Sequence, residues 1–166
     1  MTLFKKLTLL IFSLLFVFPL LASASNNDLT QIKNVITKYE ASVNHYDTNP
    51  SLADDVWQTT SDSSYIHPRG HEKGWVNIKN NFYQKTMVDT FVTRKLELVN
   101  EPDIHIYGNT AVVEFYWIFH AKFRKDNSPI ITKGRETQVM VKMNNHWKIV
   151  HVHYSSMPVG GDKQGF

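Results

Sequence analysis

Residues 110–124 read TAVVEFYWIFHAKFR, and residues 130–155 read IITKGRETQVMVKMNNHWKIVHVHYS. Apolar and polar side chains alternate through both stretches, which is the period of a β-strand. Three long strands are expected, over 110–124, 130–143 and 146–155. Asp126-Asn127-Ser128-Pro129 joins the first pair and Asn144-Asn145 the second. Asn tolerates the positive φ of a tight hairpin, so these strands should form an antiparallel meander. Two shorter strands, 88–99 and 103–107, come before them, with Gly108-Asn109 as the next turn.

The first half of the chain has a helical period. Leu29, Ile32, Val35, Ile36, Tyr39 and Val43 recur at three- and four-residue steps and predict a helix over 28–45, capped by Asp28 with Gln31. A turn at 47–50 ends it. Ser51 is expected to cap a short second helix that turns Leu52, Val56 and Trp57 inward. A short strand at 64–67 is closed by Pro68 and Gly70. A third helix is expected over 72–85, with Trp75, Ile78 and Phe82 on one side. Helices followed by strands imply an α+β domain, with three N-terminal helices packed on a curved antiparallel sheet.

Neither face of the long strands is purely polar. In 112–120 one face carries Val113, Phe115, Trp117 and Phe119, and the other Val112, Glu114, Tyr116, Ile118 and His120. A sheet with one wet side alternates more cleanly. The helices cover one face. A second copy is expected to cover the other, giving a homodimer through the sheet.

The ends of the chain and its composition bound the function. Lys5 and Lys6, an apolar run over 7–21 and Ala22-Ser23-Ala24 make a secretory signal peptide over 1–24, and a periplasmic or secreted protein is expected. The domain then spans 25–158, and 159–166, with Gly160, Gly161 and Gly165, form a loose tail. The net charge of +3 includes the two leader lysines, so the mature chain is close to neutral. It lacks the basic footprint of a nucleic-acid binder. No membrane contact is expected after cleavage. With no Cys there are no disulfides, thiol nucleophiles or Cys-ligated zinc. Aromatic residues make up 13% of the chain, enough for a large core or a lined pocket.

Residues 147–158 read WKIVHVHYSSMP. The pattern W-x-x-V-H-x-H-x-S-x-x-P, preceded by Glu136-Thr137, resembles the association (hub) domain of calcium/calmodulin-dependent kinase II. It also resembles the bacterial SnoaL-like branch of the nuclear transport factor 2-like superfamily, as do Gly134-Arg135-Glu136-Thr137 and His67-Pro68-Arg69-Gly70-His71. The resemblance implies a cystatin-like cone, a sheet curled around the first helix with a pocket inside, and dimers through the outer face. The arginines of the hub's pocket line up with Gln138 and Tyr154, where this sequence departs from the hub. The resemblance points inward with Glu114, Tyr116, Gln138, Val152 and Tyr154, which with Trp75 form the expected ligand-binding set. His151 and His153 then face outward unless a bulge reverses them.

The expected ligand is an unknown small molecule. Glu114 and Glu136 are the candidate general bases, and Tyr116 and Tyr154 the candidate hydrogen-bond donors, of an isomerase, dehydratase or cyclase. The alternatives are ligand binding without chemistry, and an oligomerisation scaffold. With His67 or His71, His151 and His153 have a spacing that permits a three-histidine metal site. Without an identifiable carboxylate partner they read as hydrogen-bonded histidines. No metal and no cofactor is expected.

Overall fold

The structure, a computed structural model, describes residues 26–157. The expected leader and tail lie outside the described residues.

Helix α1 (Asn26–His45) buries the expected stripe of Ile32, Val35, Ile36, Tyr39 and Val43. Asp28 lies within its first turn, and its carboxylate has another task from the expected cap. It accepts a hydrogen bond from Trp147 Nε1 at 3.0 Å and pairs with Lys142 Nζ at 2.6 Å. This ties the start of α1 to the last hairpin. At the other end, Asn44 imitates a strand residue. Its Nδ2 donates to the Leu96 carbonyl at 3.0 Å, and its Oδ1 accepts from the Leu96 N–H at 2.6 Å. Arg94 adds a bond from Nε to the Val43 carbonyl at 2.8 Å and an ion pair with Asp47. Helix α1 is thus anchored at both ends to the sheet that curls around it.

Helix α2 (Ser51–Val56) follows; Pro50 occupies its cap position, and the Ser51 hydroxyl donates to Asn49 Oδ1 instead of capping. Strands β1 (Ser64–His67) and β2 (Gly70–Lys73) form a hairpin. The third helix therefore starts later than expected, with α3 (Trp75–Asn77). Gly74 explains the difference: its φ of 80° is left-handed, so no right-handed helix runs through it.

Beyond Asn77 the helix widens into a π-helical segment, Ile78–Val88. Thr86 and Thr90 hydroxyls donate to carbonyls five residues back, at 2.8 and 2.9 Å, and the Asp89 N–H does the same at 2.9 Å. The wider turn buries the adjacent Phe82 and Tyr83 together.

The remaining strands are β3 (Phe91–Leu98), β4 (Asp103–Tyr107), β5 (Thr110–Phe123), β6 (Pro129–Met143) and β7 (His146–Ser156). The sheet runs β2–β1–β7–β6–β5–β3, and β4 also pairs with β5. One edge of β5 serves both partners, β4 along 110–114 and β3 along 117–123. The β5–β6–β7 meander matches the expectation. The β1–β7 pair is parallel.

The pleat decides what faces the helices. In β6 these are Gly134, Glu136, Gln138 and Met140, and in β5 Val113, Phe115, Trp117 and Phe119. Opposed residues of an antiparallel pair share a face, and Phe115 lies opposite Glu136 as Val113 lies opposite Gln138. Glu114 and Tyr116 consequently point outward, against expectation. The larger apolar face of β5 took the core. In β7 the register shifts: Val139 lies opposite His151, but Met140 lies opposite Ile149. The extra residue, Val150, is a bulge that keeps Trp147 and Ile149 before it, and Val152 and Tyr154 after it, on the inner side.

Gly134 lets two elements meet. A Cβ there would lie 2.2 Å from the Ser155 carbonyl oxygen and 2.3 Å from the Trp117 ring. Backbone and a packed indole cannot yield cheaply. Gly134→Ala should therefore lower the denaturant-unfolding free energy by about 2 kcal/mol or more. A change within ±0.5 kcal/mol would mean that Trp117 does not cross this position.

Candidate functional site

Between α1, the π-helical segment and the inner sheet face lies a cavity of about 180 Å³. Tyr39 and Val43 come from α1, Phe82 and Met87 from the π-helical segment, and Tyr65 from β1. Phe91 and Leu96 of β3, Trp117 and Phe119 of β5, Ile130 of β6 and Tyr154 of β7 complete the apolar wall. Thr86, Thr132, Arg69 and Glu136 are the polar and charged lining residues besides the tyrosines.

Glu136 dominates the chemistry. It is 4% exposed, and it forms no ion pair among the described residues. Gln138 Nε2 donates to its Oε1 at 2.7 Å, and the Tyr39 hydroxyl also hydrogen-bonds the carboxyl. Burial disfavours the carboxylate and raises the pKa to about 7; the Gln138 and Tyr39 bonds only partly offset this. Glu136 is therefore able to exchange a proton near neutrality.

The phenols around it are shifted in the same direction, upward, and burial is again the first cause. Tyr39 and Tyr65, whose hydroxyls lie 3.3 Å apart, are both held well above the ordinary range by burial. Tyr154 is pushed up to about 12, by burial first and by Glu136 second. All three stay protonated and act as donors. A second network lies behind them. Tyr83 takes a bond from Trp57 Nε1 at 3.0 Å and shares one with the Ser42 hydroxyl at 2.9 Å.

The expected site residues divide. Glu136, Gln138, Val152 and Tyr154 are on the inner face, with Glu136 and Tyr154 lining the cavity. Gln138 and Val152 are fully buried beneath it. Glu114 is exposed on the outer face, where Thr137 Oγ1 lies 3.3 Å from its Oε1. Tyr116 is 46% exposed beside it. Neither reaches the cavity. Trp75 is buried in the helix layer near Trp57 and Tyr83, and its Nε1 donates to Asp54. It is a core residue rather than a pocket wall. His151 Nδ1 lies 2.6 Å from the Ser64 hydroxyl, and His153 is exposed on the outer face. No group of three His, Asp or Glu side chains is placed to hold a metal among the described residues.

A family model for the calcium/calmodulin dependent protein kinase II association domain matches residues 70–158. The chain belongs to this family. A nuclear transport factor 2 (NTF2-like) superfamily protein from Salmonella enterica serovar Typhimurium is 43% identical and superposes with a TM-score of 0.78, covering 82% of this chain and 96% of that one. An uncharacterized cystatin-like-fold protein from Caulobacter vibrioides is 19% identical, with a TM-score of 0.65 over 78% of this chain and 89% of that one. A hexachlorocyclohexane dehydrochlorinase (LinA) type 2 is 11% identical, with a TM-score of 0.67 over 82% and 92%. The last two likenesses concern the fold alone. No curated protein matches the chain in sequence.

Within this association-domain fold, reading the sequence alone missed Tyr39, Tyr65 and Leu96 as cavity residues. Tyr39 stood on the predicted helical stripe as a core position. Gly134 carried a usable signal: a glycine inside a long strand marks a close approach, so its face, with Glu136, is the crowded one.

The raised Glu136 pKa fixes a stability trend. The folded state holds this proton more tightly than the unfolded chain, so stability is fully present below pH 4.5 and is lost as pH rises towards 7. The loss is about 3 kcal/mol. Glu136→Gln should lack this slope and melt at a higher temperature than the wild type at pH 8. Parallel melting profiles of the two proteins between pH 5 and 8 would show that Glu136 is not neutral in the fold.

Proposed function

We propose that this is an exported small-molecule-binding domain that works as a homodimer and takes its ligand in the cavity inside the cone. The observation that carries the ligand reading is an aromatic-walled hollow of about 180 Å³ with a single carboxyl group on its lining. Empty space in a core costs stability in proportion to its volume, so a purely structural domain gains by filling it. Apolar walls with a few convergent polar groups are the usual form of a ligand site.

Export rests on the leader-like residues 1–24. Dimer formation is supported by the outer sheet face, where Tyr116 and Ile131 are 46% and 61% exposed beside half-buried Val112, Ile118 and Val139. Such a patch is apt to be covered in solution.

Glu136 supports a second reading, an enzyme of the isomerase, dehydratase or cyclase kind. A carboxyl group poised near neutrality in an apolar cavity can accept a proton from a carbon acid and return it elsewhere. Tyr39 and Tyr154 would steady the developing oxyanion as neutral donors.

Ligand binding is tested by titrating the mature protein with ethylbenzene and following the side-chain resonances of Phe82, Trp117 and Tyr154. Saturable shifts at these residues are expected in the wild type and should vanish in Thr132→Trp, which fills the mouth of the cavity. Shifts confined to the outer face would overturn the reading. Native mass spectrometry should report two subunits, and one subunit after Ile131→Glu. A monomeric wild type would contradict the dimer.

A further inference from the structure

We propose that the cavity takes a small organic cation, an ammonium ion whose charge lies against Glu136 and the surrounding ring faces. The proposal deepens the ligand-binding reading and rests on it.

Glu136 lines the cavity yet has no counter-charge among the described residues. Its hydrogen-bond partners, Gln138 and the Tyr39 hydroxyl, are both neutral. An ionised carboxylate in such surroundings is costly unless a positive charge joins it. The walls around it suit one. Tyr154 stands 5.6 Å from Tyr65 and 5.6 Å, edge to face, from Trp117, while Phe82 is 4.4 Å from Tyr65. These rings come from β1, β5, β7 and the π-helical segment, and all four line the same cavity as the carboxyl. Aromatic faces carry negative potential and attract alkylammonium groups, most strongly when the cation has left water.

The neighbouring charges do not satisfy Glu136 first. From α1, β1 and β7 it faces the phenols of Tyr39, Tyr65 and Tyr154, with Tyr83 behind them, and all four stay protonated. Strand β3 contributes Phe91 and Leu96, and β5 contributes Trp117 and Phe119, none of them charged. Arg69 is the cation among the lining residues, but it is exposed, and the charge it exerts is felt at Tyr154. His67 stacks against Tyr154, with Glu72 3.5 Å away, and is the other nearby titratable group. A neutral ligand would draw a hydrogen bond from protonated Glu136, and an anion would meet a like charge as Glu136 ionises. The three ligand classes therefore respond to pH in different ways.

Choline and its uncharged isostere 3,3-dimethylbutan-1-ol separate them, because neither changes its own charge between pH 6 and 8. Calorimetric titration of the mature protein should show choline binding more tightly than the alcohol at pH 8. Choline affinity should fall roughly tenfold by pH 6 as Glu136 takes up its proton. In Glu136→Gln, verified as folded by circular dichroism, the preference and the pH dependence should both disappear. If the pH dependence survived there, it would arise from another group and overturn the assignment to Glu136. Alcohol binding equal to or tighter than choline binding at pH 8 would overturn the proposal while leaving a neutral-ligand site intact. No saturable binding of either compound would also overturn it, whereas the ethylbenzene titration judges the cavity on its own.

Discussion

A carboxyl group with no positive partner among the described residues sits inside an aromatic cone, and much of the architecture follows from keeping it there. Glu136 is held by Gln138 from its own strand and by Tyr39 from α1. Those two neutral donors stop it from being an orphaned buried group without giving it a counter-ion. The tension between desolvation, which favours the acid, and hydrogen bonding, which favours the carboxylate, leaves the proton easily exchanged near pH 7. Tyr39 links this group to Tyr65, so α1, β1 and β6 meet at one buried cluster of oxygens.

Backbone devices place that cluster. The Val150 bulge resets the pleat of β7, so Trp147 and Ile149 pack under α1 while Val152 is buried on the inner face and Tyr154 reaches the cavity. Gly134 lets the Trp117 indole cross β6, widening the inner surface beside Glu136. The π-helical segment turns Phe82 towards the cavity and Tyr83 towards Trp57 and Ser42. Each device departs locally from regular geometry, and the cavity lies where they converge. Such departures persist only where the surrounding packing over-determines them.

Most of the fold was legible in the sequence, and less of the site. The stripe of α1, the long strands and the Asn-rich turns carry strong periodic signals, and the structure follows them closely. The periodicity over 72–85 runs past the true helix start at Trp75, because residues 72–73 belong to β2 and the left-handed φ of Gly74 is not visible in a helical pattern. The inward set failed for Glu114 and Tyr116 because both faces of β5 are rich in apolar residues. The two possible registers then differ only in degree, and the Val113–Phe119 face is the more apolar. Glu136 was correctly grouped with Gln138 because the pleat of β6 is unbroken. Trp75 carries no marker that separates a core indole from a pocket wall. The cavity residues from α1 and β1 come together only in three dimensions.

The family places the chain among association domains, a fold used in different proteins for different ends. What distinguishes this member is the chemistry within the cone, above all the state of one proton. Carbon-detected NMR of protein labelled at glutamate side-chain carboxyls reads that state directly. One resonance, absent from Glu136→Gln, should titrate with a midpoint of about 7. If the resonance that Glu136→Gln removes titrated in the ordinary carboxylate range instead, Glu136 would be ionised inside the cone at neutral pH, contradicting the account.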